Sequence, residues 1–339
     1  QIKIADDQVN NCYYLIINLH HLITDHVGLE KIVSEVFVYL SGDKKSLSTP
    51  VLYRDFISHT LQQQLVNDSE SHFKSLLGTI KSPTYPFELS NIQINAKNIE
   101  EHRRVLPNRL SKTLRDTSTK LGLSPAVFFH AAYGLVVGQC SNSEYTIFGS
   151  LFSGRLQGAI GSEDFLGLFI NTLPVYLELK GTVSEYLFQV QQCLNDLLPF
   201  EQTPLSHIQD WSGIANDMAF FSALLNYRHS SILGGENQEK IFEDLGMSVI
   251  AGQERTNYPF AVNVDDYGDD FELTAQIDKG IGANRIVTYM ETALENILAA
   301  LEARKKITTK EISVLSKSEE DELLYAFNAT EQEYPKDKT

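Results

Sequence analysis

A mixed α/β fold is predicted by three features of the 339-residue sequence. β-favouring apolar runs alternate with segments whose apolar residues recur every three or four positions. At roughly 150 residues per domain, the length accommodates two packed units or one large one. The composition is 42% apolar, 10% aromatic and 21% charged, that of a globular chain able to bury a core without covalent staples. Fibrous, disordered and disulfide-scaffold classes are thereby excluded.

The first clear strand is residues 12–19 (CYYLIINL), nearly all apolar and therefore expected to be buried on both faces. A helix follows, carried by Leu29, Ile32, Val33, Val36 and Leu40 and stopped at Ser41-Gly42. Residues 90–101 interrupt the apolar pattern with Asn, Gln and Lys and read as a linker, which divides the chain into 1–95, 96–310 and a charged end at 311–339. Residues 110–121 read as a helix. Ser124-Pro125 supplies an N-cap residue and a proline at the first helical position for a strongly apolar helix running through Val137. Strands are expected at 145–151, 170–179, 219–227, 260–264 and 271–277, with helices at 184–198 and 286–301. Residues 317–339 are charged around one small apolar cluster, Leu323-Leu324-Tyr325 with Phe327, and read as a linker that docks lightly. No short-period repeat or low-complexity segment is present.

Charge narrows the function classes. Lys and Arg number 28 against 44 Asp and Glu, a formal charge of −16, and no basic cluster is denser than Arg103-Arg104 or Lys305-Lys306, so nucleic acid is not an expected partner. Cys12, Cys140 and Cys193 lie far apart in apolar runs and read as buried, reduced thiols. No apolar run reaches the length of a membrane span, and Gln1-Ile2-Lys3 has neither an initiator Met nor a signal-peptide layout. The expectation is a cytoplasmic protein with no membrane partner, cut from something longer.

The most informative segment is HHLITD, residues 20–25. Side chains alternate faces along a strand, so His20 and His21 at its end should point opposite ways, and only one can act as a base. Asp25, where the chain turns into the helix, is placed to accept backbone N–H bonds or to pair with a distant Arg. It shapes the loop rather than touching substrate. His21, Asp25 and His26 do not make a credible metal set, because three ligands from one tight turn converge poorly and no HExxH or Cys pair completes them. Dinucleotide, phosphate-loop and nucleophile-elbow sequences are absent, so no metal and no bound cofactor is expected.

These residues resemble a family. HHLITD is similar to the HHxxxDG motif of condensation domains in nonribosomal peptide synthetases, which share the HxxxD core with chloramphenicol acetyltransferase. Tyr53-Arg54-Asp55-Phe56 resembles the family's YxDF/Y element, residues 149–155 (GSLFSGR) its GxxxSGR strand, and residues 167–174 (GLFINTLP) its GxFxNTLP segment. Thr203-Pro204-Leu205 is similar to the VPL segment, residues 224–227 (LLNY) to the strand that follows, and Phe327-Asn328-Ala329-Thr330 with Tyr334-Pro335 to the linker entering an adenylation domain. The order is the family's throughout.

The resemblance implies a two-lobed, chloramphenicol-acetyltransferase-like α/β pseudodimer with mixed sheets, its first lobe truncated at the N-terminus and its active site between the lobes. It implies upstream donor and downstream acceptor carrier proteins that present substrates on phosphopantetheine, and a downstream adenylation domain in the same synthetase. His21 is then the catalytic histidine that takes the ammonium proton or positions the acceptor amine, with His20 beside it. Asp25 holds the loop through a salt bridge, for which Arg155 is the candidate, and Asn226 and Tyr227 match cleft positions of the second lobe. Their other reading is simply two polar residues ending a strand. His26 stands where the family has Gly. With residues 226–230 (NYRHS) and 255–259 (RTNYP) it makes the sequence resemble the dual epimerisation/condensation subtype, in which an extra base would serve inversion of the donor α-carbon. A stand-alone epimerisation domain would carry a Glu-containing element at 151–155, and a heterocyclisation domain would replace the histidines with aspartates. The alternative function is a non-catalytic docking domain of the same fold.

Overall fold

A six-stranded mixed sheet organises the larger part of the protein in the computed structural model, which describes residues 1–20, 22–40, 42, 47, 49–50, 52–78, 80, 82–91, 98–155, 166–214, 218–229, 246–248, 250, 256–303 and 305–330, the His26 side chain excepted. The chain divides into two compact units. One comprises Gln1–Gly78, Leu151–Leu173 and Asp196–Ser212; the other comprises Thr79–Ser150, Pro174–Asn195 and Gly213–Thr339.

The larger unit is built on β3 (Ile99–Val105), β4 (Tyr145–Phe152), β5 (Asn171–Glu178), β6 (Ala223–His229), β7 (Phe260–Asp266) and β8 (Phe271–Asp278). Their order across the sheet is β3-β8-β7-β6-β4-β5. β4, β6 and β7 run parallel, and β8 is antiparallel to both β7 and β3. Period-two alternation separates the two faces. Leu225, Val262 and Ala275 form one buried row, and the next row, Asn226, Asn263 and Thr274, faces the other way.

Two helices cover the apolar face. In α5 (Pro125–Cys140) residues 127–138 are all buried, so it is apolar all round, as a helix inside a core must be. α8 (Ala283–Glu302) buries Ile286, Val287, Met290, Ala293, Leu294 and Ile297, the three-to-four spacing of a single stripe, against α5, β3 and β8. Each of these Ile, Val, Met and Leu side chains contributes about 1.5–3 kcal/mol when fully buried. α4 (Asn108–Leu121) ends at Gly122 in the left-handed conformation, φ 66°, and α6 (Val183–Leu197) follows β5.

The smaller unit holds a two-stranded antiparallel hairpin, β1 (Ile2–Asp7) and β2 (Cys12–Ile17), then α1 (His26–Leu40), α2 (Tyr53–Val66), α3 (Ser69–Leu77) and α7 (Leu205–Trp211). The short terminal helix α9 (Lys317–Asp321) belongs to the larger unit.

Several expectations are corrected. β2 is exposed rather than buried on both faces: Tyr13, Leu15 and Ile16 are 75%, 48% and 57% accessible, because among the described residues β1 alone pairs with it. The interruption at 90–101 gives way at Ile99 to β3, an edge strand carrying the pairs Glu100-Glu101 and Arg103-Arg104; 92–97 lie outside the described residues. Ser124 occupies the N-cap position of α5 but makes no side-chain capping bond. β6 begins at Ala223 rather than 219; ahead of it Phe221 forms only an isolated bridge to Thr84. The three cysteines are in no disulfide among the described residues and are half-buried rather than fully buried. The end of the chain docks through charge rather than through its apolar cluster: Glu319 accepts from Tyr289 and pairs with Arg285, each at 2.7 Å, while Leu324, Tyr325 and Phe327 are exposed. No single helix among the described residues is long and apolar enough to cross a membrane.

Candidate active site

Asp25 is the centre of the smaller unit's polar chemistry. It is 2% exposed, and its carboxylate accepts four hydrogen bonds from three groups. The Arg155 guanidinium donates to both carboxylate oxygens, at 3.0 and 3.2 Å, the Gly28 N–H donates to Oδ1 at 2.9 Å, and the Phe169 N–H donates to Oδ2 at 3.2 Å. The Asp25 backbone is held as well: its N–H donates to Gly167 O, and its carbonyl accepts from Leu29 N–H in the first turn of α1. Arg155 is 8% exposed and lies over the Phe169 ring at 3.9 Å, and Phe169 packs edge-on against Phe56 at 4.3 Å. A buried ion pair whose remaining lone pairs are filled by backbone donors is the arrangement that offsets its own desolvation.

Two glycines make this geometry reachable. Gly154, φ 66°, precedes Arg155, and a Cβ there would fall 1.9 Å from Phe169 O. A Cβ on Gly28 would fall 2.1 Å from Thr24 Oγ1. Gln202 closes the cluster from α7's side of the unit, donating to Gly154 O at 2.9 Å. Asn171 donates to the carbonyls of Glu201 and Thr203, which fixes the approach to Thr203-Pro204-Leu205.

Of the two adjacent histidines, His20 is exposed, and its Nδ1 accepts from Leu22 N–H at 3.1 Å, which places the ring proton on Nε2. His20 O also accepts from Ile23 N–H, so the segment is already turning. His21 lies outside the described residues. His26 is the first residue of α1, and its side chain likewise lies outside what is described.

Asn226 and Tyr227 sit on β6 in the larger unit. Asn226 donates to its cross-strand neighbour Asn263 at 3.0 Å. Tyr227 points to the opposite face and donates to Asp266 Oδ2 at 2.5 Å, while Arg115 donates to Asp266 Oδ1 at 2.6 Å. Burial first, then the hydrogen bond to and charge of Asp266, push the Tyr227 phenol well above its ordinary value. Burial works against the charge on Asp266, yet the bonds from Arg115, Tyr227 and Gly268 N–H outweigh it and keep the carboxyl below the usual carboxylate range. The next residue, Arg228, is paired with Asp265. The structure thus brings Asp25 and Arg155 together, and Asn226 and Tyr227 each meet a partner within their own sheet.

The condensation-domain family profile matches residues 3–324. The chain belongs to the condensation-domain family. Malpinin synthetase of Mortierella alpina is 36% identical over 321 residues, 94% of this chain and 4% of that protein; malpibaldin synthetase of the same organism is 33% identical over 318 residues, 94% of this chain and 6% of that protein. The chain therefore spans about a twentieth of these curated relatives. Among solved structures, the condensation domain of the monacolin K polyketide synthase MokA aligns with a TM-score of 0.67 at 16% identity, over 91% of this chain and 74% of that one. The X-domain from teicoplanin biosynthesis gives 0.68 at 14% identity, over 93% and 74%. The mixed α/β fold is that of condensation domains.

Within the condensation domain, sequence motifs give Asp25 and Arg155 a task but assign none to the residues that complete their environment. Phe169 enters twice, through its N–H and its ring, and Gly28 through an N–H alone; a main-chain donor leaves no side-chain signal. Tyr53 and Phe56 belong to the YRDF element, which by itself assigns them no task. Their ring contacts to Phe169 supply it.

Proposed function

We propose that this condensation domain forms an amide bond between a donor acyl or peptidyl thioester and an acceptor aminoacyl thioester, each carried on the phosphopantetheine of a carrier protein. The acceptor amine attacks the donor carbonyl carbon, the C–S bond breaks, and the donor carrier leaves as a thiol that takes up the proton the amine gives away. His21 removes the ammonium proton or positions the free amine, and a neutral imidazole suits either task. Asp25 and Arg155 shape the loop that carries His21. Asn226 offers a carboxamide to the developing oxyanion. The observation that supports this reading is the buried Asp25–Arg155 pair of the HHxxxD turn, whose carboxylate also holds two backbone N–H groups, an investment that a surface loop does not need. The proposal extends to inversion of the donor α-carbon, with His26 as the added base; chiral analysis of product from an L-configured donor tests it, since retention of the L residue contradicts it. The experiment for the central reaction is His21→Ala in the full-length protein with both carriers loaded. Coupling should fall by about 10²–10⁴-fold with the fold unchanged, and full coupling by the variant would overturn the assignment.

A further inference from the structure

We propose that Tyr53 is a positioning residue for His21, acting through the segment 167–169; this rests on the reading that His21 handles the acceptor amine. Tyr53 opens α2, and its hydroxyl donates to Leu168 O at 2.6 Å. Its ring meets Phe169 edge-on at 5.3 Å and Phe56 at 5.7 Å. The ring also occupies the space in which a side chain on residue 167 would stand, for a Cβ on Gly167 would lie 2.3 Å from Tyr53 Cδ2. The segment is thus gripped on one side by the Tyr53 hydroxyl and the rings of Tyr53 and Phe56. Its other side grips Asp25 at both ends, with Gly167 O accepting from Asp25 N–H at 3.2 Å and Phe169 N–H donating to Asp25 Oδ2 at 3.2 Å. Asp25 in turn anchors the turn that begins at His20. A displacement of residues 167–169 therefore passes directly into the backbone and carboxylate of Asp25, four residues from His21.

The hydroxyl is built to donate. Burial first, and the Asp25 charge second, raise the Tyr53 phenol above its ordinary value, so it keeps the proton that Leu168 O receives. Tyr53→Phe removes this one bond and leaves the ring in place over Gly167. Misplacement of a catalytic group by a fraction of an ångström to an ångström is enough to slow a reaction by one to two orders of magnitude.

The test is a double-mutant cycle in the full-length protein with loaded donor and acceptor carriers. Tyr53→Phe should lower kcat for coupling about tenfold, leave KM for the loaded acceptor carrier unchanged and leave the unfolding midpoint unchanged. Placed in the His21→Ala background, Tyr53→Phe should slow the residual rate no further, because the group it positions is gone. Full kcat for Tyr53→Phe, a raised KM, loss of the fold, or an additive slowing in the His21→Ala background would each overturn the proposal. A His21→Ala variant that couples at the wild-type rate would instead overturn the reading on which it rests, so the two failures are told apart.

Discussion

Asp25 owes its weight to the number of groups that depend on it rather than to reactivity of its own. Its carboxylate balances the Arg155 guanidinium at a site where both side chains are nearly inaccessible, and it also terminates two backbone donors. Asp25→Asn keeps the volume but leaves that guanidinium uncompensated, a loss on the order of 3–5 kcal/mol for a broken buried pair. Denaturant unfolding of the variant should show this together with reduced coupling; an inactive variant of wild-type stability would make Asp25 a direct participant instead. His130 is a second residue with a calculable consequence. Its Nε2 meets Ser150 Oγ at 2.8 Å, its Nδ1 meets Ala126 O at 2.7 Å, and burial lowers its pKa from 6.5 to about 4. The unfolded chain therefore takes up a proton first as pH falls. The stability this residue contributes is whole above pH 6.5, declines between 6.5 and about 4, and is lost below, roughly 3 kcal/mol in all. A His130→Gln variant should show a flatter stability–pH curve across that window than the wild type, and identical slopes would contradict the buried neutral imidazole. Sequence reading reaches Asp25 and Arg155 because a motif carries their side chains. It does not reach His130, whose partners are a carbonyl one helical turn back and a hydroxyl on β4.

Among the elements, the turn that follows β4 has the least freedom. Gly154 combines φ 66° with a carbonyl where a Cβ would stand, so Gly154→Ala meets both a left-handed backbone cost of about 1–3 kcal/mol and a clash with Phe169 O that only backbone movement relieves. Thermal unfolding of Gly154→Ala should show a loss larger than the backbone term alone. A variant as stable as the wild type would mean that residues 154 and 169 do not approach as described. The central elements β4 to β8, α4, α5 and α8 are legible because their apolar spacing records a face that is in fact covered. β2 shows the limit of that signal. An apolar run states a strand's demand for cover on two faces but names no element that supplies it. Helices α2 and α3 escape for the opposite reason: α2 buries Phe56 and exposes Leu61, Leu65 and Val66, so no clean stripe marks it. α3 reads as polar because it buries only Phe73 and Leu77.

Over the whole molecule, the chain combines a net charge of −16 with a condensation-domain fold and a family match running from residue 3 to residue 324. Its motifs keep the family's order, which is why the fold class was legible in the sequence, whereas the division into units, each drawn from three separated stretches of chain, was not. A contiguous reading of domains follows the chain; packing follows proximity. The function proposed for this molecule makes one product in one place. Incubation of the full-length protein with a donor carrier bearing an acyl or peptidyl thioester and an acceptor carrier bearing an aminoacyl thioester, followed by intact mass measurement of both carriers, tests it most directly. The acceptor carrier should gain the mass of the donor acyl group while the donor carrier returns to its free thiol, and His21→Ala should suppress both changes. Acceptor carrier that stays at its starting mass while the folded wild-type protein binds both carriers would contradict amide formation and leave a docking domain in its place.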